Sequence, residues 1–276
     1  MKILTLNAHS WLEEHAMAKL EVLASRIVEM DYDLVALQEV NQRIDGRPVT
    51  GDGFFQAGVG GPVSLHQDNF ALILAQRLKD LGAAYYWCWQ PVHIGYGRYH
   101  EGLALFSKHP IEVQTHHVSR QQAFDDFQTR RLLIGKTLVE GRELLALCCH
   151  YSWWTGEETH GFAYEWQQTL RLLAGETQPV LLLGDFNNPA EQRGQGYDLV
   201  TATFQDAYVQ AASRRGSHTV AKEIDGWAGN QQLLRMDFIF CNHQLKPQQV
   251  GTVFDGVTCD RVSDHFGVEA SLRWAD

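Results

Sequence analysis

Along this chain, apolar runs of strand length end one after another in a polar residue equipped for chemistry. Lys2–Asn7 alternates like a strand and closes on Asn7, and Asp33–Val40 carries Leu-Val-Ala-Leu into Gln38 and Glu39. Further on, Leu144–Cys149 leads into His150, and Val180–Gly184 leads into Asp185. Buried strands end in loops in any protein, so one such residue carries no information. A series of them constrains the fold: the strands lie side by side, with their ends converging on one site.

The remaining pattern fills in the layers around those strands. Met17–Met30 sets Met17, Leu20, Leu23, Ala24, Ile27 and Val28 on one face, the period of an amphipathic helix. Asp68 or Asn69 can cap a second helix that runs to Leu81 and stops at Gly82, while residues 43–61, rich in Gly and Asp, read as a loop. Strands then dominate: Tyr85–His93, Gly102–Ser107, Ile111–Val118, Leu132–Val139 and Glu143–His150. A helix over Glu157–Ala174 precedes the Val180 strand. The long loop Ser213–Asn230 comes before final strands at Arg235–Cys241, Gln248–Phe254 and Gly267–Trp274. No Pro- or Ser-rich linker and no solenoid repeat interrupts this order. Many strands with a few long helices predict an α+β domain of two packed sheets with helices outside, one domain over residues 1–276.

Composition narrows the function. Lys and Arg number 23 against 33 acidic residues, a net charge of −10. Proteins that hold long nucleic acids carry a basic stripe because phosphate neutralisation dominates their affinity. None is visible here, which favours a small phosphorylated partner over a polynucleotide. No apolar run reaches membrane-spanning length, and the N-terminus enters a strand without a secretory h-region. Five cysteines without a regular spacing read as reduced, mostly buried residues, and the expected location is the cytoplasm.

Gly184-Asp185-Phe186-Asn187-Asn188-Pro189 is the sharpest segment. A carboxylate at the mouth of a dry sheet can serve as a base beside a bound phosphate, with Asn187 donating to a phosphoryl oxygen. An Asx-turn closing a strand explains the same residues. Ser263-Asp264-His265-Phe266-Gly267 offers a cationic imidazole held by the neighbouring carboxylate, or simply a capped turn. Glu39, after a strand buried on both faces, needs either a salt-bridge partner or a hard cation such as magnesium. His150 reads in the same way as a phosphate ligand, with Asp237 of Leu-Arg-Met-Asp-Phe-Ile-Phe as its buried orienter.

Taken in order, Leu-Asn-Ala-His-Ser, Leu-Gln-Glu-Val, the His150 strand, Gly-Asp-Phe-Asn-Asn-Pro, Arg-Met-Asp-Phe-Ile-Phe and Ser-Asp-His-Phe-Gly-Val resemble the endonuclease/exonuclease/phosphatase superfamily from Asn7 to Gly267. The resemblance implies a DNase-I-like, four-layer α/β/β/α sandwich of two mixed sheets. It also implies a magnesium-dependent phosphohydrolase, with manganese as a substitute ion. Glu39 becomes the principal metal ligand with Asn7 beside it and Asp264 contributing. Asp185 activates or orients the attacking water, and Asn187 holds the phosphoryl group. His150 and His265 stabilise developing charge, oriented by Asp237 and Asp264. One departure stands out: His9 occupies a position where many abasic-site endonucleases carry an acidic residue.

Within the superfamily, Asn-Ala-His-Ser-Trp at 7–11, His-Ile-Gly-Tyr at 93–96, His-Glu-Gly-Leu-Ala at 100–104, His-Tyr-Ser-Trp-Trp at 150–154 and Glu-Ile-Asp-Gly-Trp at 223–227 are similar to the bacterial maltose-6′-phosphate phosphatase group. A phosphorylated sugar is then the expected substrate, with nucleic acid and membrane not expected as partners and the oligomeric state left open. Trp153, Trp154 and Trp227 either stack on sugar faces or pack, whereas Trp87 and Trp89, alternating in a strand, belong to the core. Arg98, Arg130 and Arg131 are candidates to reach a phosphate, with Arg131 taken as the substrate contact, although surface solvation accounts for some of them. Glu101 can meet sugar hydroxyls, orient His150 or form a salt bridge. The competing readings are a phosphodiesterase, nuclease or sphingomyelinase-like, and a non-catalytic binding module on the same fold.

Overall fold

The protein is described here from a computed structural model over residues 1–58 and 63–275. The last three positions of the expected 43–61 loop, and the final residue of the expected 1–276 domain, lie outside the described residues. Fourteen strands run in chain order as β1 (Lys2–Asn7), β2 (Leu34–Gln38), β3 (Gln42–Arg43), β4 (Tyr86–Gly95), β5 (Tyr99–Ser107), β6 (Glu112–His117), β7 (Arg131–Val139), β8 (Arg142–His150), β9 (Val180–Asp185), β10 (Gln205–Asp206), β11 (Ser213–Arg215), β12 (Asp237–Cys241), β13 (Leu245–Val253) and β14 (Gly267–Trp274) among the described residues. The helices are α1 (Ala16–Met30), α2 (Phe70–Asp80), α3 (Gly161–Leu172), α4 (Gly196–Thr201) and α5 (Ala207–Gln210).

The strands form two mixed sheets. One has the order β11-β13-β14-β1-β2-β5-β3, with β4 also on β5, and the other the order β10-β12-β9-β8-β7-β6. Each sheet centres on a parallel pair, β1 with β2 and β8 with β9, joined through α1 and α3 respectively. Strands in such pairs are covered on both faces, which is why β2 and β9 read as unbroken apolar runs. Ile3, Leu105, Leu133, Ala146, Cys148, Leu183 and Ile239 fill the space between the sheets. On one outer face, Leu20, Leu23, Ala24 and Ile27 of α1 pack with α2 against Leu4, Leu37 and Trp87. On the other, Phe162 and Trp166 of α3 meet Phe186, Phe238 and Phe240. The result is the expected four-layer α/β/β/α sandwich.

Several local expectations match in detail. Asn69, not Asp68, caps α2, accepting the Leu72 N–H at 3.1 Å. Trp87 and Trp89 are core residues, and four of the five unpaired cysteines are buried, with Cys259 half-buried. Other expectations shift. Met17, placed by its period on the apolar face of α1, is 51% exposed in the first turn. Helix α3 begins at Gly161 rather than Glu157, because Gly161 has a φ of +66° and breaks the run before it. A short edge strand, β3, runs into the start of the expected 43–61 loop at Arg43, and the 213–230 loop opens with another, β11.

One glycine sets the geometry of the future site. Gly184 has a φ of +143°, and a Cβ built there would lie 2.0 Å from the carbonyl oxygen of Cys149. Only a residue without a side chain lets β9 lie this close to β8 at the end that carries Asp185. Gly184→Ala should therefore cost about 3 kcal/mol or more of stability. Gly141→Ala, at a turn with nothing within 4 Å, should cost only about 1 kcal/mol. Urea unfolding curves of the two variants measure the difference, and equal losses would contradict the close-packing argument.

Candidate active site

Strand register brings the chemistry together. His150 of β8 lies beside Asp185 of β9, and Asp185 lies beside Asp237 of β12. Directly paired residues share a face of the sheet, so the three side chains line up across its end. From the other sheet, Asn7 ends β1 and Glu39 follows β2. Phe186 is buried against Tyr151 and Phe240 on the helix side, with ring centroids 5.0 and 4.9 Å away, so the alternation around it turns Asp185 and Asn187 the other way.

Asp185 is the meeting point. Its Oδ1 accepts the Asn187 backbone N–H at 2.8 Å, and its Oδ2 accepts from Asn7 Nδ2 at 3.2 Å. His150 Nε2 and His265 Nε2 each stand 3.8 Å from that same Oδ2. These spacings exceed a hydrogen bond, so the imidazoles flank the carboxylate without being consumed by it. Burial pushes the Asp185 carboxyl up from its usual range, with Asp237 adding to the rise.

The two histidines are held in opposite states. Burial alone would lower His265, but Asp237 at 2.9 Å from Nδ1, together with Asp185, holds it well above its usual range and therefore protonated. Burial, reinforced by the positive charge of Arg130, drives His150 well below its usual range and leaves it neutral. Asp237 thus orients His265, not His150 as its sequence position suggested, because β12 continues the sheet on the side away from β8. The carboxylate nearest the other nitrogen of His150 is Glu101, with Oε1 4.0 Å from Nδ1. Glu101 lies nearer His93 Nε2, at 3.3 Å, and is pushed up by burial.

Asn187 and Asn7 are fixed by their partners. The Trp227 indole N–H can only donate, so its 3.1 Å contact identifies Asn187 Oδ1 as the acceptor and turns Nδ2 toward the Tyr151 carbonyl at 3.0 Å. Trp227 therefore holds Asn187. Asn7 Nδ2 donates to Glu39 Oε1 at 2.8 Å as well as to Asp185, while its Oδ1 accepts the His9 N–H at 3.2 Å. Asn7 bridges the two carboxylates as a donor instead of presenting its oxygen beside Glu39 as a ligand would. Ser263 ties the His265 loop to β1 through the Asn7 carbonyl at 2.7 Å. Left-handed backbone at His9, Ser10, Glu39, Tyr96 and Asn187 surrounds the site, where such strain tends to gather.

Asp264 sits with a different group. Its Oδ1 is 3.7 Å from His9 Nδ1, and its backbone N–H donates to Glu13 at 3.1 Å. Burial alone would lower His9, yet Glu13 and Asp264 hold it up at about 9. The hydrogen bond that orients His265 comes from Asp237, while Asp264 adds only its charge nearby.

A cleft of about 490 Å³ opens above these groups. Glu39, Glu101, His150, Asp185, Asn187, His265 and Trp153 line it, joined by His93, Tyr96, Asp125, Phe127, Arg130, Asp225 and Gly226. Arg130, buried and packed over the Trp153 ring at 5.8 Å, is the one Arg or Lys on this lining among the described residues. Arg131 and Trp154 do not line it. Successive residues of an extended strand face opposite ways, which separates Arg131 from Arg130, and Trp154 packs toward the α3 core. Arg98 is exposed beside Tyr99. Tyr96 and Asp225 stood in the recognised sequence stretches, but their place on the cleft comes only from loops meeting in space.

Glu39 fits a hard cation. Burial, with Glu101 nearby, pushes its carboxyl up, and among the described residues no Lys or Arg lies within ion-pair distance of it. The histidine within ion-pair distance, His150 at 3.9 Å, is held neutral, and the cationic His9 offsets the rise only in part. Ligand atoms of Asp185, Asp237 and His265 lie within 4.8 Å of one another, as do those of His9, Glu13 and Asp264. In the first group the protonated His265 already supplies the positive charge.

Comparison with known proteins identifies the family. No curated protein sequence matches the chain. A structure of an endonuclease/exonuclease/phosphatase family protein from Leptotrichia buccalis is 31% identical, with a TM-score of 0.86 and 99% of each chain covered. A functionally unknown conserved protein from Enterococcus faecalis is 20% identical, with a TM-score of 0.66 and full coverage of both chains (100%). A mannosyl-6-phosphatase from Bacteroides thetaiotaomicron is 17% identical, with a TM-score of 0.65 and 99% of each chain covered, and shares the fold. The model of the Endonuclease/Exonuclease/phosphatase family matches residues 9–265. The chain belongs to that family, a group of phosphoesterases for which a divalent metal is typical.

Proposed function

We propose that the chain is a magnesium-dependent phosphomonoesterase acting on a small phosphorylated sugar, with the whole chain as one catalytic domain. The observation that carries this reading is the cleft itself. Its floor gathers His150, Asp185, Asn187 and His265, while its walls bring aromatic rings and carboxylates and, among the described residues, a single arginine. Carboxylates at Asp125, Asp225 and Glu101 repel a polyanion but accept hydrogen bonds from sugar hydroxyls, and aromatic faces cover apolar sugar faces. The volume suits a compact ligand. The Bacteroides fold neighbour is itself a mannosyl-6-phosphatase, and the resemblance to maltose-6′-phosphate phosphatases points the same way.

The mechanism follows from the protonation states. Asp185, raised by burial, accepts the proton of a water molecule aligned for in-line attack on phosphorus. His265, kept cationic by Asp237, offers its Nε2–H to a phosphoryl oxygen as negative charge builds there. Asn187, clamped by Trp227 and Tyr151, keeps one amide hydrogen for the same group. His150, neutral, retains a lone pair and one N–H with which to hold the ester. Glu39, with Asp264 contributing, would hold magnesium, which when bound offsets charge on the phosphoryl oxygens and the leaving alkoxide.

Phosphate release from a panel of sugar phosphates, with and without magnesium and beside a plasmid-nicking assay, tests the reading. Release from a phosphorylated sugar without nicking is expected; nicking with inert sugar phosphates would overturn the substrate class. Asp185→Asn keeps the side-chain size but removes the base and turns one of its two acceptors into a donor, so kcat should fall by about a thousandfold in a variant that still melts cooperatively. Near-normal turnover would remove Asp185 from this role. Glu39→Gln should raise the magnesium concentration for half-maximal activity by about tenfold or more. An unaltered metal titration would place the ion elsewhere.

A further inference from the structure

Across the mouth of the cleft, the Tyr96 hydroxyl donates a hydrogen bond to the Asp225 carboxylate, 129 positions further along the chain. Both residues line the cleft and both are exposed, so the contact lies at its rim and not at its buried floor. Tyr96 belongs to the β4–β5 turn on the eight-stranded sheet. Asp225 belongs to the loop before β12, on the six-stranded sheet. The hydrogen bond thus joins the two walls.

Neither end is loose. Tyr96 and Gly97 have φ values of +53° and +62°, and the Arg98 N–H returns to the Gly95 carbonyl at 3.2 Å. Turns with positive φ at both central positions favour Asn, Asp or Gly, so a tyrosine at the first of them is disfavoured by the turn, and at 52% exposure it is not held there as a core residue. On the other side, Ile224 is buried against Val220, Leu234 and Met236. Gly226, at φ +77°, lies on the Trp153 ring so closely that a Cβ would fall 2.2 Å from Cζ2. Trp227 is hydrogen-bonded to Asn187. The residues flanking Asp225 are therefore held by the same side chains that line and position the site.

We infer that the Tyr96–Asp225 hydrogen bond is a selectivity bar across the cleft mouth, admitting a phosphate at the end of a small molecule and excluding esters with a substituent on each side of phosphorus. The inference rests on the phosphomonoesterase reading and gives it a structural cause. A monoester enters phosphate-first beneath the bar, with its single substituent lying against Trp153. A diester needs a second exit, which the bar occupies, and in a polynucleotide the neighbouring phosphates would also meet Asp225 and Asp125.

The test compares p-nitrophenyl phosphate, bis(p-nitrophenyl) phosphate and glucose 6-phosphate as substrates of the wild type, Tyr96→Phe and Tyr96→Asn in magnesium buffer. Tyr96→Phe removes only the hydroxyl. Tyr96→Asn also suits the turn, so its melting temperature should equal or exceed that of the wild type. In both variants the monoester-to-diester ratio of kcat/KM should fall by about tenfold, the scale of one lost charged hydrogen bond. An unchanged ratio in both folded variants overturns the bar, as does a wild type that cleaves the two nitrophenyl esters equally or cleaves neither. A wild type that prefers the nitrophenyl monoester but leaves glucose 6-phosphate untouched counts against the sugar reading alone, and the variant ratios still decide the bar.

Discussion

Taking the Asp185 carboxylate out of water obliges much of the surrounding architecture to compensate it. A buried carboxylate without donors is costly, and each donor here arrives from a different element. Asn187 contributes its own N–H from the next turn, Asn7 an amide from β1, and His265 a positive charge from the loop before β14. Their positions depend in turn on Gly184, which lets β9 approach β8, and on Ser263, which ties the His265 loop to the end of β1. The site is therefore a consequence of how two sheets must meet around one desolvated group.

The sheets and their chemical ends were legible in sequence because they obey short-range rules. Apolar runs bounded by polar residues give β1, β2, β8 and β9, and the Asn69 cap with its following apolar period gives α2. Helices α4 and α5 escaped because six and four residues are too few for a period to develop. Strands β3, β10 and β11 are two or three residues long and exist only through their neighbours. At the site, residue types were readable but pairings were not. Asp237 meets His265 because β12 lies on the far side of β9, and Arg130 displaces Arg131 through the alternation of a single strand. A shift of one position moves a side chain to the opposite face. The cleft walls were least legible, since Tyr96, Asp125 and Asp225 meet only through loops distant in sequence.

The positive-φ residues around the site show where local preference yields to this arrangement. Glu39 holds a left-handed conformation while its carbonyl accepts the Ser10 hydroxyl at 2.7 Å, and the same Ser10 oxygen accepts the Asn41 N–H at 3.2 Å. The strand end is thus bent by specific hydrogen bonds, and the bend points a carboxylate into the cleft instead of along the sheet. Asn187 is bent similarly and clamped at both ends of its amide. Pre-organisation of this kind spends folding energy before a ligand arrives, leaving less reorganisation for the reacting state.

The division between the two imidazoles shows how little is needed to assign opposite chemistry on one sheet. His150 and His265 stand equally far from Asp185 Oδ2, so their distance to that carboxylate cannot separate them. What differs is the group behind each ring: Asp237 in direct hydrogen-bond contact with His265, against Arg130 and a more distant Glu101 near His150. Burial, with Arg130 adding to it, drives His150 down, while a full anion in hydrogen-bond contact holds His265 up against the same burial, which supplies a donor and a neutral partner around one base. Both placements follow from strand order, since β12 continues the sheet on one side of β9 and β8 on the other. The topology that builds the core therefore also assigns the roles of the site.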